Sequence, residues 1–249
     1  MAPLSKKDSA KILTVISLCD YSGRWAKPWA DAGHSVILVD PKHDYPEKHR
    51  WPRVVKDGMT FAIKDGMYCW KGTVSDLLAR PPIHSRVDVI LAAPPCTHFS
   101  SSGARWWKEK DADGRTDAHV HIVRDILALI DRFKPQVWAL ENPVGRINKL
   151  VPELGEPLMR FHPHEFAGWA DDPQSEAYTK KTCLYGRFHT PLTRKSVEPI
   201  YYNKGGTRGS WMWATLGGKS ERTKELRSNT PEGFARAFYQ ANCEIAMKS

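Results

Sequence analysis

The stretch Val87-Asp-Val-Ile-Leu-Ala-Ala-Pro-Pro-Cys-Thr-His-Phe-Ser-Ser-Ser-Gly103 decides how the rest of the chain is read. Val87, Val89, Ile90 and Leu91 form a short apolar run, which predicts a strand covered on both faces. Pro94 and Pro95 end that strand, because each removes a ladder N–H and fixes φ. Cys96 then stands where an open α/β sheet presents its ligands, outside the carboxyl end of a strand. A thiol in that place admits two readings: a nucleophile, or a small buried hydrophobe like most free cysteines.

Upstream, Lys11 to Cys19 reads as a first strand, and Asp20-Tyr-Ser-Gly23 as a tight polar turn. Trp25 to Ala32 follows as a short helix, with Pro28 in its first turn and Gly33 as its stop. Ser35 to Val39 is a second strand ending at Asp40-Pro41. This strand–turn–helix–strand–acid order is a nucleotide-type βαβ unit, whose terminal acid suits ribose hydroxyls. Phe61 to Cys69 predicts a hairpin around Asp65-Gly66. Gly72 to Asp76 opens a helix through Ala79, with Asp76 as a first-turn acid or a ligand contact.

Downstream, the clearest helix runs from Asp117 to Phe133, closed by Lys134-Pro135. Gln136 to Leu140 is the next strand, expected to break at Glu141-Asn142-Pro143. A carboxyl group at a strand end thus repeats the logic of Cys96. Thr182 to Tyr185 reads as a strand, and Asn203 to Ser210 as a flexible basic loop between the aromatic pairs Tyr201-Tyr202 and Trp211-Met-Trp213. Thr230 is the expected N-cap of a last helix with Pro231 at its first position and Phe234, Phe238 and Ala241 on its apolar face.

The 249 residues carry a formal charge of +9, unevenly placed. From Lys180 to Arg227 eleven Lys/Arg stand against three Glu, a surplus of eight. Such a zone is the electrostatic footprint of a polyanion partner, or else a solvated basic face. The five cysteines are scattered without a CxxC pair, so neither a disulfide framework nor a zinc ribbon is expected, and Cys19, Cys69, Cys183 and Cys243 read as core thiols. His162-Pro-His164-Glu165 lacks a partner cluster, and no metal is expected. With no long apolar run and no secretion signal at Met1 to Asp8, an intracellular, cytoplasmic protein is expected.

Pro94-Pro95-Cys96 and Glu141-Asn142-Pro143, in this order and 45 residues apart, resemble the two active-site motifs of the DNA (cytosine-5) methyltransferases. The resemblance covers roughly residues 12–150 and the last helix. It implies an α/β, Rossmann-like S-adenosylmethionine-dependent methyltransferase fold: a mostly parallel sheet, helices on both faces, and a small irregular recognition segment. Residues 1–150 would be the catalytic and cofactor core, 151–227 the basic recognition region and 228–249 a helix returning to the core. Cys96 would attack C6 of a cytosine flipped out of double-stranded DNA, Glu141 would contact N3 and the exocyclic amine, and C5 would take the methyl group.

The resemblance also implies a cofactor site of Leu18, Asp20, Tyr21, Ser22, Gly23, Asp40, Pro41, Asp76, Pro94 and Asn229. Cys19 and Tyr21 stand where the family has Phe and Gly, and Ser228 stands where it has Gly. Nucleic-acid contacts are implied for Ser100, Ser101, Ser102, Arg105, Asn142, Lys180 and Lys181. The short span from Phe188 to Arg227 resembles compact viral members, which would place the protein in the host cytoplasm. Two other functions fit the same residues: an RNA cytosine-5 methyltransferase, and an inactive DNA-binding or regulatory homologue.

Overall fold

A computed structural model describes residues 11–43, 52–56, 59–80, 86–204, 207–210 and 226–248. The predicted apolar runs become the parallel centre of a nine-stranded sheet. The strands are β1 (Thr14–Leu18), β2 (Ser35–Val39), β3 (Arg53–Lys56), β4 (Met59–Lys64), β5 (Met67–Trp70), β6 (Val89–Ala92), β7 (Val137–Pro143), β8 (Met159–Phe161) and β9 (Thr182–Arg187), in the order β3-β4-β5-β2-β1-β6-β7-β9-β8. The five strands β5-β2-β1-β6-β7 run parallel, and β3, β4 and β9 are antiparallel to their neighbours. Winding outward from β1 in both directions makes a doubly wound sheet whose switch point lies between β1 and β6.

Period-two alternation divides the core. Val15, Leu38, Leu91 and Ala139 face one side, and Ile16, Ile37, Ile90 and Leu140 face the other. The first side is covered by α1 (Lys27–Asp31) and by α6 (Glu232–Met247), where Trp25 packs against Phe234 and Phe238 at 5.8 and 5.7 Å between ring centroids. The second is covered by α2 (Val74–Ala79) and α4 (Arg115–Phe133), through Leu77, Val120, Val123 and Ile126. Two short helices, α3 (Trp107–Ala112) and α5 (Ile147–Leu150), follow the two motifs.

Most expected elements are present, and the differences have physical causes. Asp65 and Gly66 both take positive φ, as a two-residue hairpin turn between β4 and β5 requires. β7 does not break at Glu141: antiparallel β9 pairs Glu141, Asn142 and Pro143 with Leu184, Cys183 and Thr182 and carries the strand on. The sheet also continues past residue 150, so β8 and β9 build the core rather than a separate recognition region. In the stretch expected as a basic loop, residues 203–204 and 207–210 instead belong to the antiparallel pair β10 (Tyr201–Lys204) and β11 (Thr207–Ser210). Trp211 and Trp213 lie outside the described residues. Thr230 does not cap α6. The Glu176 carboxylate does, accepting from Glu232 N–H and, at 2.9 Å, from Gly233 N–H. No described helix is long and apolar enough to cross a membrane.

Candidate active site

The site gathers at the carboxyl ends of β1, β2, β6 and β7. After β1 the chain turns through Cys19, whose φ is +56°. Asp20 holds this turn: its carboxylate accepts from Ser17 Oγ at 2.8 Å, Ser22 Oγ at 3.0 Å and Gly23 N at 2.7 Å. Gly23 has φ +74°, and a Cβ there would meet Met67 and Leu38 at under 3 Å. Asp20 therefore braces the turn internally rather than presenting a free carboxylate. Leu18 is fully buried in the core, and its carbonyl accepts from Ala93 N at 3.0 Å. Tyr21 is exposed and lies against His43, 5.4 Å between centroids.

At the end of β2 the Asp40 carboxylate is buried and accepts from Lys42 N at 2.8 Å. Burial raises its pKa against that hydrogen bond. Pro41 is exposed beside it. His43, buried and near Lys64, is held down to about 4 and so stays neutral. It is a site neighbour that the sequence does not single out; its place two residues after Pro41 is the one signal. Asp76 is exposed, and its carboxylate closes a capping box with Thr73, accepting from Thr73 N at 2.9 Å and Thr73 Oγ1 at 2.7 Å. The capping reading accounts for the geometry around Asp76.

β6 leads into Pro94, buried, and Cys96, half-buried in a single 3₁₀ turn. β6 pairs with β7 up to Ala92 and Leu140, so Cys96 and Glu141 emerge from adjacent strands. Asn142 fastens the two motifs together. It is 0% exposed, and its Nδ2 donates to Pro94 O at 3.1 Å, so a nucleic-acid contact by this side chain is ruled out by burial. Burial raises the Cys96 thiol, Lys180 counteracts it, and Glu141 adds to it. Burial likewise raises Glu141, with Lys180 again opposing. One cation thus acts on both groups. Lys180 reaches this point because β9 runs beside β7, and its Nζ donates to Arg227 O at 3.2 Å. Arg227, one of the cations of the basic stretch, also lowers Cys96. Lys181 is exposed, and its carbonyl accepts from Val144 N at 3.1 Å. Asn229 is half-buried at the approach to α6.

The segment after Cys96 is clamped. Ser100 is buried, bridges Gly145 and bonds Ser102 at 3.0 Å between hydroxyls, while Ser101, Ser102 and Arg105 are exposed. Arg146 donates from Nε to His98 O at 3.1 Å, forks onto Asp111 at 2.6 and 2.7 Å and lies 4.4 Å over the Trp107 ring. Gly145 is required by this closeness, since a Cβ would sit 1.8 Å from Phe99 O. Gly145→Ala should therefore cost about 3 kcal/mol. That is a fall of ~10 °C in melting temperature, readable by calorimetry. An unchanged melting temperature would contradict the close approach.

Cys19 is pushed up to about 12 by burial and by Asp40 and Asp20, which marks it as inert. Among the described residues no three His, Cys, Asp or Glu gather as metal ligands, and His164 Nδ1 lies 3.1 Å from Val197 O.

The doubly wound sheet, with its site at the β1–β6 switch point, is a Rossmann-like α/β fold. Residues 73–150, which contain both Cys96 and Glu141, match the model of the C-5 cytosine-specific DNA methylases. None of the curated proteins matches the chain. Among solved structures, a prophage-encoded E. coli chain named as a DNA modification methyltransferase is 15% identical over 84% of this chain, with a TM-score of 0.46. The match spans 56% of that chain, a little over half its length. A METTL16 MTase domain is 11% identical over 76% of this chain and 77% of its own, with a TM-score of 0.39.

Proposed function

We propose that the protein methylates C5 of cytosine in DNA through a covalent Cys96 adduct. The observation that supports this best is the pairing of Cys96 and Glu141 on adjacent strand ends, joined by Asn142 and sharing Lys180. A thiolate adds to C6 of an electron-poor pyrimidine, and the electron pair so displaced needs a proton or hydrogen bond at N3. Glu141, whose carboxyl burial raises while Lys180 opposes, is the donor in its protonated form. C5 becomes nucleophilic and is methylated; loss of the C5 proton then expels Cys96 and restores the ring.

The residues fit S-adenosylmethionine. Asp40 offers a buried carboxylate, oriented by Lys42 N–H, for two ribose hydroxyls at the end of β2. Tyr21, Ser22, Pro41 and Asn229 flank it, with Gly23 shaping the turn. When bound, this group supplies an electrophilic methyl. Asp20 and Asn142 act at one remove, by fixing the turn and the nucleophile loop.

The test is covalent trapping on 5-fluorocytosine in duplex DNA and, separately, in structured RNA, with the cofactor present. The reading expects an adduct on DNA that disappears in Cys96→Ala. An adduct on RNA alone would move the substrate to RNA, and none on either would leave an inactive homologue. Binding should also be salt-dependent. If about five of the eleven cations between Lys180 and Arg227 meet phosphate, affinity for duplex DNA falls roughly 10²–10³-fold between 50 and 200 mM salt. A flat salt titration would contradict a phosphate-facing basic zone.

A further inference from the structure

The last helix is held at its start from far away in the chain. Glu176 is 5% exposed, and its two carboxylate oxygens accept one N–H each, from Glu232 and, at 2.9 Å, from Gly233. Those are two of the four donors that a helix leaves unpaired at its N-terminus. A carboxylate there also meets the positive end of the helix dipole. Gly233 fits because it has no side chain: a Cβ would lie 2.2 Å from Phe166 O and 3.1 Å from Glu176 Oε2. One residue on, Phe234 stacks on Phe161 at 4.2 Å between centroids and packs against Trp25, two residues beyond Gly23 of the β1 turn. Upstream of the cap, Lys180 Nζ donates to Arg227 O at 3.2 Å. Asn229 lies between these two anchor points. A single segment, from Glu176 to Lys180, thus grips both ends of the stretch that carries Asn229. A separate clasp sits one turn further along α6, where the Arg236 guanidinium forks onto Asp171 at 2.7 and 2.8 Å.

Resting on the proposed use of S-adenosylmethionine, we infer that Glu176 is a positioning residue for the cofactor and acts through Asn229. With its side chain buried and both oxygens engaged, Glu176 is not itself offered to a ligand. What it does is fix the backbone just after Asn229. A segment already ordered in the free protein loses less conformational freedom when a ligand arrives, so binding is tighter. Releasing the Glu232–Gly233 end would return that ordering cost to the binding step. The cofactor turn also bears on the cap directly. Burial raises the Glu176 carboxyl, and the two N–H groups and Arg24, which follows Gly23, oppose it. The charged, accepting form is therefore supported from the turn on one side and from α6 on the other.

Calorimetric titration with S-adenosylmethionine tests this on the unsubstituted protein, Glu176→Gln, Asn229→Ala and the double variant. Glutamine keeps the size of the side chain but turns an amide N–H₂ toward one of the two N–H donors. Glu176→Gln is expected to weaken cofactor binding about tenfold. In the Asn229→Ala background the same substitution should cost less than about twofold, because the residue it acts through is gone. Arg236→Gln, which opens the separate clasp, should lower the melting temperature yet keep the affinity within about twofold. Hydrogen exchange carries the inference without any substitution: coupling is reciprocal, so the cofactor should slow exchange at the Glu232 and Gly233 amides of the unsubstituted protein. Unchanged affinity in Glu176→Gln would overturn the positioning role. So would an equal loss with and without Asn229, a matching loss in Arg236→Gln, or no slowing at those two amides. An unsubstituted protein that does not bind S-adenosylmethionine would instead defeat the proposed cofactor, and the inference with it.

Discussion

Cys96→Ala is expected to lower methyl transfer on the order of 10⁶-fold, the size of effect seen when a covalent nucleophile is removed, while cofactor affinity stays unchanged. The reason for expecting so clean a separation is geometric. Cys96 follows β6, whereas the groups proposed to hold the cofactor follow β1 and β2 and take their shape from Asp20 and Lys42 rather than from the thiol. The folded state should hardly notice the change, because a half-buried thiol contributes only about 1 kcal/mol of packing. Tritiated-methyl incorporation and calorimetric titration with the cofactor, run on the same preparation, check both halves. Methylation persisting in Cys96→Ala would sink the covalent route.

Cys19 is the internal control. It too stands at a strand end near acids, but it is pushed up to about 12 and held at a positive φ of +56°. Cys19→Gly, which accepts that backbone conformation without strain, should keep the activity. The contrast also bears on activation. Burial raises the Cys96 thiol in the free protein while Lys180 and Arg227 oppose it, so its alkylation should be slow at neutral pH and speed up with rising pH.

How much of this was readable beforehand depends on how local the signal is. The parallel strands and the β4–β5 turn were legible because an apolar run or an Asp-Gly pair carries its own reason within a few residues. The length of β7 was not. A strand reading Glu-Asn-Pro at its end stops on local rules, and only β9, some forty residues later, supplies the ladder that extends it. Asn142 shows the same limit at the site. Its identity announces a hydrogen bond, but whether that bond goes to DNA or to Pro94 O is settled by folding, which buries it completely. The cap of α6 went to Glu176 rather than Thr230 for a like reason, since a carboxylate brought in from 56 residues away takes two N–H groups where a hydroxyl takes one. Lys180 was legible as a charge near phosphate. Its action on Cys96 and Glu141 together needed the register of β9.

Glu141→Gln is expected to lower kcat by about 10²–10⁴-fold and to change the shape of the pH profile. Glutamine keeps the side chain's size and supplies an amide donor in place of the acid O–H, so the pyrimidine is still held, but it has no proton to give as charge develops on N3. The reactive form of the unsubstituted site is thiolate Cys96 with neutral Glu141, which carries one proton between the two groups. Burial raises both pKa values, the carboxyl from 4.5 and the thiol from 9.0. The profile of kcat/KM should therefore rise as the first proton leaves through the raised Glu141 value. It should stay level while one proton remains, and fall as the second leaves through the raised Cys96 value. In Glu141→Gln the only requirement left is the thiolate. The acid limb disappears, and the rate climbs with pH through the Cys96 value without a later fall. Lys180→Gln removes the cation that lowers both groups, so both limbs should move to higher pH, whereas Lys180→Arg should leave them nearly in place. If the unsubstituted protein instead shows a single rise through the thiol range with no alkaline fall, Glu141 works as a carboxylate. The proton donation to N3 is then wrong even though Cys96 remains the nucleophile.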